Sequence, residues 1–186
     1  WAFGGYPGAD TDPVQGAAHL HELYSRADPG FTGRATVPIL WDSQTGTIVS
    51  NESADILRMF DTAFAELVPE TPLLYPADLA ADIDALNAEI YDSLNNGVYK
   101  AGFASTQAAY DEAVAGVFAT LDRLEARLDG AFLFGDRFTE TDIRLFVTLI
   151  RFDAAYHGLF KTNLRRIADY PRLQAYMERV LRLPGV

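Results

Sequence analysis

Glu52 and Ser53 follow a β-branched run and open a stretch of helical periodicity, which gathers two polar side chains and the free amides of a helix N-terminus at one point. Such a point is an ordinary N-cap pair in one reading and a carboxylate site in another. Val37-Pro38 lies upstream, and a cis proline there would leave the Val37 N–H and C=O open for a short β-like pairing. Arg34 carries a planar fork that suits a carboxylate ligand or a surface acid. Tyr99 follows Asn95-Asn96-Gly97, where its hydroxyl is either satisfied at a helix end or free for a ligand. Thr139 and Asp142 have the spacing of a capping box, a structural role, and replacing Asp142 with Ala is expected to cost about 1 kcal/mol or somewhat more. His19, His21 and His157 lack metal-like companions, the first two being expected on different faces of a helix, so no metal is expected.

The 186 residues contain no cysteine, which excludes disulfides, thiolate metal sites and a cysteine nucleophile from this stretch. A net charge of −11 opposes phosphate backbones and anionic bilayers, so neither nucleic acid nor membrane is expected as a partner. The charge is uneven, with 6 basic and 21 acidic side chains in residues 1–136 against 9 and 5 in 137–186. No apolar run approaches the roughly 20 residues a membrane span needs, and a soluble protein is expected. The chain opens at Trp1 and stops at Val186 in mid-pattern, which reads as a fragment with targeting signals out of view.

The elements that must position these residues are mixed before about residue 70 and helical from Pro76 onward. Residues 1–12 read as a Gly- and Pro-rich loop. Residues 13–27 carry Ala17, Leu20, Leu23 and Tyr24 at helical spacing. Residues 36–41 and 47–49 read as an antiparallel hairpin around Asp42-Ser43-Gln44-Thr45-Gly46, with Pro38 at a strand start or edge. Ile56, Met59, Phe60, Ala63, Phe64 and Leu67 continue the helix begun at Asn51-Glu52-Ser53. Three prolines within residues 68–76 place a domain boundary there, giving units 1–70 and 71–186. Beyond it, one helix is expected over 79–94, ended by Asn95-Asn96-Gly97. A second runs from about Tyr110 to Gly130, a third from Thr139 is apolar nearly all round and so buried, and a last starts at Pro171.

The order strand, proline, hairpin and Glu-Ser helix, then a proline linker and a helical domain with a Thr-x-x-Asp cap, resembles the glutathione transferases. The strings Gly33-Arg34-Ala35-Thr36-Val37-Pro38-Ile39-Leu40-Trp41-Asp42, Asn51-Glu52-Ser53, Asn95-Asn96-Gly97-Val98-Tyr99-Lys100-Ala101-Gly102-Phe103-Ala104 and Thr139-Glu140-Thr141-Asp142-Ile143-Arg144-Leu145-Phe146 are similar to the glutathionyl-hydroquinone reductases, the Xi class. The resemblance implies an α+β partial thioredoxin-like, glutathione-binding domain over 1–70 and an all-α C-terminal domain over 71–186. It implies a glutathione site of Trp1, Arg34, Val37, Glu52 and Ser53, with Val37 meeting the cysteinyl amide and Glu52 the glutamyl ammonium. Tyr99 would hydrogen-bond a hydroquinone oxygen. The family's Cys-Pro-Trp nucleophile is expected before Trp1 and its aromatic tail after Val186, so the fragment alone is expected to be inactive. The implied activity is glutathione-dependent reduction of glutathionyl-hydroquinones by a cytoplasmic homodimer that uses glutathione as co-substrate and no metal. The alternative is a non-catalytic scaffold on the same fold.

Overall fold

In the computed structural model, residues 1–67 and 72–186 are described. The chain divides into two compact units, Trp1–Thr71 and Pro72–Val186. The expected boundary at 70/71, with Pro69 of its linker, lies outside the described residues.

In the first unit, residues 1–12 form no helix or strand, as expected of a loop, but the start of this loop is pinned by backbone pairing. Phe3 N–H donates to Ala18 C=O at 2.9 Å, Leu20 N–H donates to Trp1 C=O at 3.0 Å, and Ala2 bridges His19. Helix α1 spans Leu20–Ala27 and buries Leu20, Leu23 and Tyr24. It starts seven residues later than the apolar spacing suggests, because the Asp12 carboxylate takes the N–H groups of Val14, Gln15 and Ala17 at 2.9, 3.1 and 3.0 Å. Asp in such a position competes with helical pairing. Gly16, at φ 62°, then turns the chain in a conformation an L side chain resists. His19 is consequently a helix cap and not a helical residue, and its ring centroid lies 5.4 Å from that of His21 rather than on another face.

The hairpin forms from β1, Leu40–Asp42, and β2, Thr47–Ser50, with Trp41 opposite Ile48. Asp42 organises the turn by accepting from Gln44 N–H at 2.8 Å and Thr45 Oγ1 at 2.6 Å, and Gly46 supplies φ 68°. Residues 36–39 do not join the ladder as expected. Pro38 has no N–H to donate, and the backbone of Thr36 is bound elsewhere, as described below. Helix α2, Ser53–Thr62, follows and buries no residue fully. A short 3-10 turn at Ala65–Leu67 closes the described part of this unit. Its core is Ala17, Leu20, Leu23 and Tyr24, with Phe3, Ala35, Ile39, Trp41 and Ile48 packed against it.

In the second unit α3, Ala80–Ile90, does not stop at Asn95-Asn96-Gly97. It passes through a π turn, Tyr91–Asn95, into α4, Gly97–Gly102. Asn95 does not cap, because its side chain crosses to Thr148 Oγ1 at 2.6 Å and to Arg144 C=O at 3.0 Å. Gly97 stays helical to let Val117 approach, since a Cβ there would sit 2.9 Å from the valine methyl. Helix α5, Gln107–Arg127, is capped by Thr106, whose hydroxyl accepts from Ala109 N–H. Helix α6, Glu140–Arg151, runs through a second π turn, Phe152–Tyr156, into α7, His157–Leu159. The expectation that α6 is buried all round is corrected: Leu145 and Leu149 face the core, while Val147 and Ile150 are 39% and 38% exposed. Helix α8, Pro171–Leu181, begins on its proline as expected.

Candidate functional site

Leu40 pairs with Ser50 at the open end of the hairpin, so the chain entering β1 and the chain leaving β2 emerge together. Val37 lies on the first of these segments, and Glu52 and Ser53 lie on the second. The Val37-Pro38 peptide is cis, and Val37 is 55% exposed. Its N–H and C=O make no hydrogen bond among the described residues. Glu52 is the N-cap of α2, but neither its side chain nor that of Ser53 caps the helix. The Glu52 N–H donates to Ser50 Oγ at 3.1 Å, and the first helical bond is Ile56 N–H to Glu52 C=O at 3.0 Å. The amides of Ser53, Ala54 and Asp55 therefore end the helix unpaired among the described residues, carrying the positive end of its dipole.

Arg34 is exposed and has no ion pair or hydrogen bond among the described residues. Trp1 is 74% exposed, and only its carbonyl is anchored, by Leu20. The five residues expected at a glutathione site are thus all presented outward by the first unit. What sequence reasoning missed is the bracing behind them. The Tyr24 hydroxyl donates to Thr36 C=O at 2.8 Å and accepts from Thr36 N–H at 3.3 Å, while Asn51 Nδ2 donates to both the Tyr24 hydroxyl and Thr36 Oγ1 at 3.3 Å. The available signal was a tyrosine within an apolar stripe, since a buried phenol requires a partner.

Tyr99 stands on α4 of the second unit, 44% exposed, with its hydroxyl 3.2 Å from that of Tyr156. Phe160 and Tyr156 meet its ring edge-on at centroid distances of 5.2 and 5.7 Å. Burial, and then the Tyr99 bond, pushes the Tyr156 phenol up to about 12. Tyr99 is therefore both exposed and partnered, which joins the two alternatives the sequence left open.

Thr139 and Asp142 are fully buried. Asp142 accepts from Thr139 N–H at 2.8 Å, as the capping box requires, but also from Thr139 Oγ1 at 3.1 Å, Leu133 N–H at 3.0 Å and the Tyr176 hydroxyl at 2.9 Å. The expected cost of about 1 kcal/mol or somewhat more counts a cap with one orphaned donor, whereas this carboxylate serves four, so a cost toward the upper side is expected. Burial pushes its carboxyl up from the ordinary value, against the pull of these donors. Between Thr139 and Asp142 in sequence, Glu140, 1% exposed, accepts from Asn87 at 2.7 Å and Arg144 at 3.2 Å.

A family model described as the glutathione S-transferase C-terminal domain matches residues 107–179. The chain is 53% identical over 176 residues to glutathionyl-hydroquinone reductase PcpF of Sphingobium chlorophenolicum, covering 93% of this chain and 56% of that protein. The glutathione-bound structure of YqjG, a glutathione transferase homolog from Escherichia coli K-12, superposes with TM-score 0.96 at 50% identity, over 100% of this chain and 61% of that one. The Xi glutathione-S-transferase of Phanerochaete chrysosporium superposes with TM-score 0.93 at 52% identity, over 97% and 63%. These likenesses carry the α+β architecture expected above, a partial thioredoxin-like domain followed by a helical one. The chain spans a little over half the length of the curated relatives it matches.

Proposed function

The chain belongs to the Xi class of the glutathione transferases, and on that premise we propose that the intact protein reduces glutathionyl-hydroquinones to hydroquinones with formation of glutathione disulfide. The observation that carries this reading is the open end of the hairpin. There a free peptide edge at Val37 and an uncapped helix start at Glu52 and Ser53 emerge side by side, a pairing suited to an extended peptide that carries both an amide and a charged end. Glutathione fits this pair. Its cysteinyl amide would pair with Val37, its γ-glutamyl carboxylate would meet Ser53 and the first amides of α2, its ammonium would meet Glu52, and Arg34 would take a carboxylate. Trp1 would lie against the ligand. In this reading residues 1–70 form the glutathione domain and 71–186 the helical domain that offers Tyr99.

The 186 residues hold no cysteine, so the nucleophilic thiolate of the reading comes from outside them. It attacks the glutathionyl sulfur, the carbon–sulfur bond breaks, its electron pair stays on the ring carbon, and that carbon takes a proton to give the hydroquinone. A second glutathione thiolate then resolves the mixed disulfide to glutathione disulfide and frees the cysteine thiolate. Tyr99 would hydrogen-bond a hydroquinone oxygen through the face its hydroxyl does not give to Tyr156. The reading includes a homodimer and a cytoplasmic location, where glutathione is kept reduced, and no metal.

The test is glutathione-dependent release of hydroquinone from a glutathionyl-hydroquinone by the full-length protein, with Glu52→Ala beside it. Turnover is expected, with the glutathione KM raised roughly 30-fold in the variant, the loss of one charged hydrogen bond. A folded full-length protein that binds glutathione without turnover would instead be a scaffold.

A further inference from the structure

Two stretches would meet glutathione, and three polar side chains that make no contact with it in that reading tie them together. Tyr24 is 5% exposed in the small core, with the Phe31 ring at 4.8 Å between centroids. Its hydroxyl donates to Thr36 C=O at 2.8 Å, accepts from Thr36 N–H and Asn51 Nδ2 at 3.3 Å, and lies 3.3 Å from Thr36 Oγ1. The Asn51 amide also donates to Thr36 Oγ1 at 3.3 Å, so its nitrogen serves both partners. The partners are 12, 15 and 27 residues apart, so this is tertiary bracing and not local turn chemistry. Among the described residues, Tyr24 supplies the hydrogen bonds made by the backbone of residues 33–38. Thr36 immediately precedes Val37, and Asn51 immediately precedes Glu52.

We infer that Tyr24 and Asn51 are positioning residues for glutathione, fixing the span between the Val37 peptide edge and the Glu52–Ser53 helix start so that one tripeptide reaches both. The inference rests on the reading of those two stretches as a glutathione site. The physical need is plain from the fold. Residues 36–39 are outside the strand ladder, so without the brace the Val37 edge is a loop with no backbone tether, and a flexible ligand would have to order it on binding. Ordering a loop at the moment of binding weakens affinity even where every direct contact is kept. Both braces act on where the ligand groups sit, and neither acts on the sulfur chemistry.

The test uses the full-length protein and three variants, Tyr24→Phe, Asn51→Ala and Glu52→Gln, with glutathione as the probe. Calorimetry gives the glutathione Kd, thermal melts give stability, and steady-state kinetics separates KM for glutathione from kcat. Tyr24→Phe keeps the ring in the core, and Asn51→Ala alters a half-buried loop position, so at least one variant remains folded. Each is expected to raise Kd and KM for glutathione about tenfold with kcat at saturating glutathione within about twofold, and the double variant is expected to be little worse than the worse single, as for one shared network. If Glu52→Gln loses affinity while Tyr24→Phe and Asn51→Ala stay within about twofold of wild type, the bracing role is overturned and the site stands, even where their melting temperature falls. If wild type fails to bind glutathione, or Glu52→Gln leaves Kd unchanged, the site reading itself falls and the bracing role falls with it.

Discussion

In the helical unit the carboxylate of Asp142 takes four hydrogen bonds and is fully buried, whereas in the Trp1–Thr71 unit the carboxylate of Glu52 is exposed and caps nothing. The contrast extends to the cores. The helical cluster draws buried side chains from α3, α4, α5, α6 and α8, while the smaller unit buries Ala17, Leu20, Leu23 and Tyr24. A large core can hold polar groups inside at full satisfaction, and those groups then serve stability. A small core leaves peptide segments to be placed by individual side chains such as Asp12, Tyr24 and Asp42. Its remaining polar groups, Arg34, Glu52 and Ser53, point outward and are available for recognition.

The largest effect expected is that of Asp142→Ala. It strands the Leu133 and Thr139 amides and the Thr139 and Tyr176 hydroxyls in a dry interior. The expected loss is about 3 kcal/mol from the helical unit, which lowers its melting temperature by roughly 12 °C. Far-UV circular dichroism follows the helices of this unit. Both tryptophans of the chain, Trp1 and Trp41, lie in the other unit, so their fluorescence reports that unit separately. A fluorescence transition that falls as far as the circular dichroism transition would break the comparison.

The capping box, the Pro171 start of α8 and the hairpin turn at Asp42 to Gly46 are legible because each is written within a few residues. Arg34, Val37, Glu52 and Ser53 are legible as candidates for the same reason, as a motif carries them. Where the reading goes astray, a competing side-chain partner, near in one case and distant in the others, has overridden the periodic or turn signal. Helix α1 starts late because Asp12 claims three amides. The Asn95-Asn96-Gly97 stop fails because Asn95 bonds to Thr148, 53 residues on. Residues 36–39 leave the strand while Thr36 is bound by Tyr24. Tyr24 and Asn51 escape notice as site residues on the same grounds, since nothing near either of them in sequence announces the other.

Arg34→Ala sharpens the comparison from the recognition side. The guanidinium has no partner among the described residues, so its removal is expected to leave stability within about 0.5 kcal/mol, as at other exposed positions. Glutathione affinity should fall roughly tenfold, the worth of a charge-assisted bond to a carboxylate. Melting and titration calorimetry on one sample check both halves. A large loss of stability would show that Arg34 is structural. Tyr99→Phe should do less to either property of its unit, costing under about 1 kcal/mol for one hydroxyl pair. The Tyr156 phenol, raised to about 12 by burial and then by Tyr99, should titrate lower in that variant. A tyrosine whose folded pKa is raised contributes stability that is present below its unfolded value near 10 and is lost as pH rises toward 12. The alkaline loss of stability should therefore be smaller and end at lower pH in Tyr99→Phe, as read by phenolate absorbance and circular dichroism.

The smallest expected effect is a difference in how the two units meet acid. Hydrogen bonds from Gln15, Ala17 and Val14 hold Asp12 below its ordinary 3.8, and those from Thr45 and Gln44 do the same for Asp42. A carboxylate depressed in the folded state contributes stability that is present above 3.8 and is lost as pH falls through its lowered value. Asp142 has the opposite sign. Burial raises its folded value above 3.8, so lowering the pH through that raised value relieves a buried charge and favours the folded helical unit. Below pH 3.8 the Trp41 fluorescence, reporting the strand that carries Asp42, should therefore change ahead of the helical circular dichroism. Asp42→Asn should move the fluorescence change to higher pH without moving the helical one. Coincident acid transitions in the wild type would mean that these carboxylates do not govern the order in which the units respond.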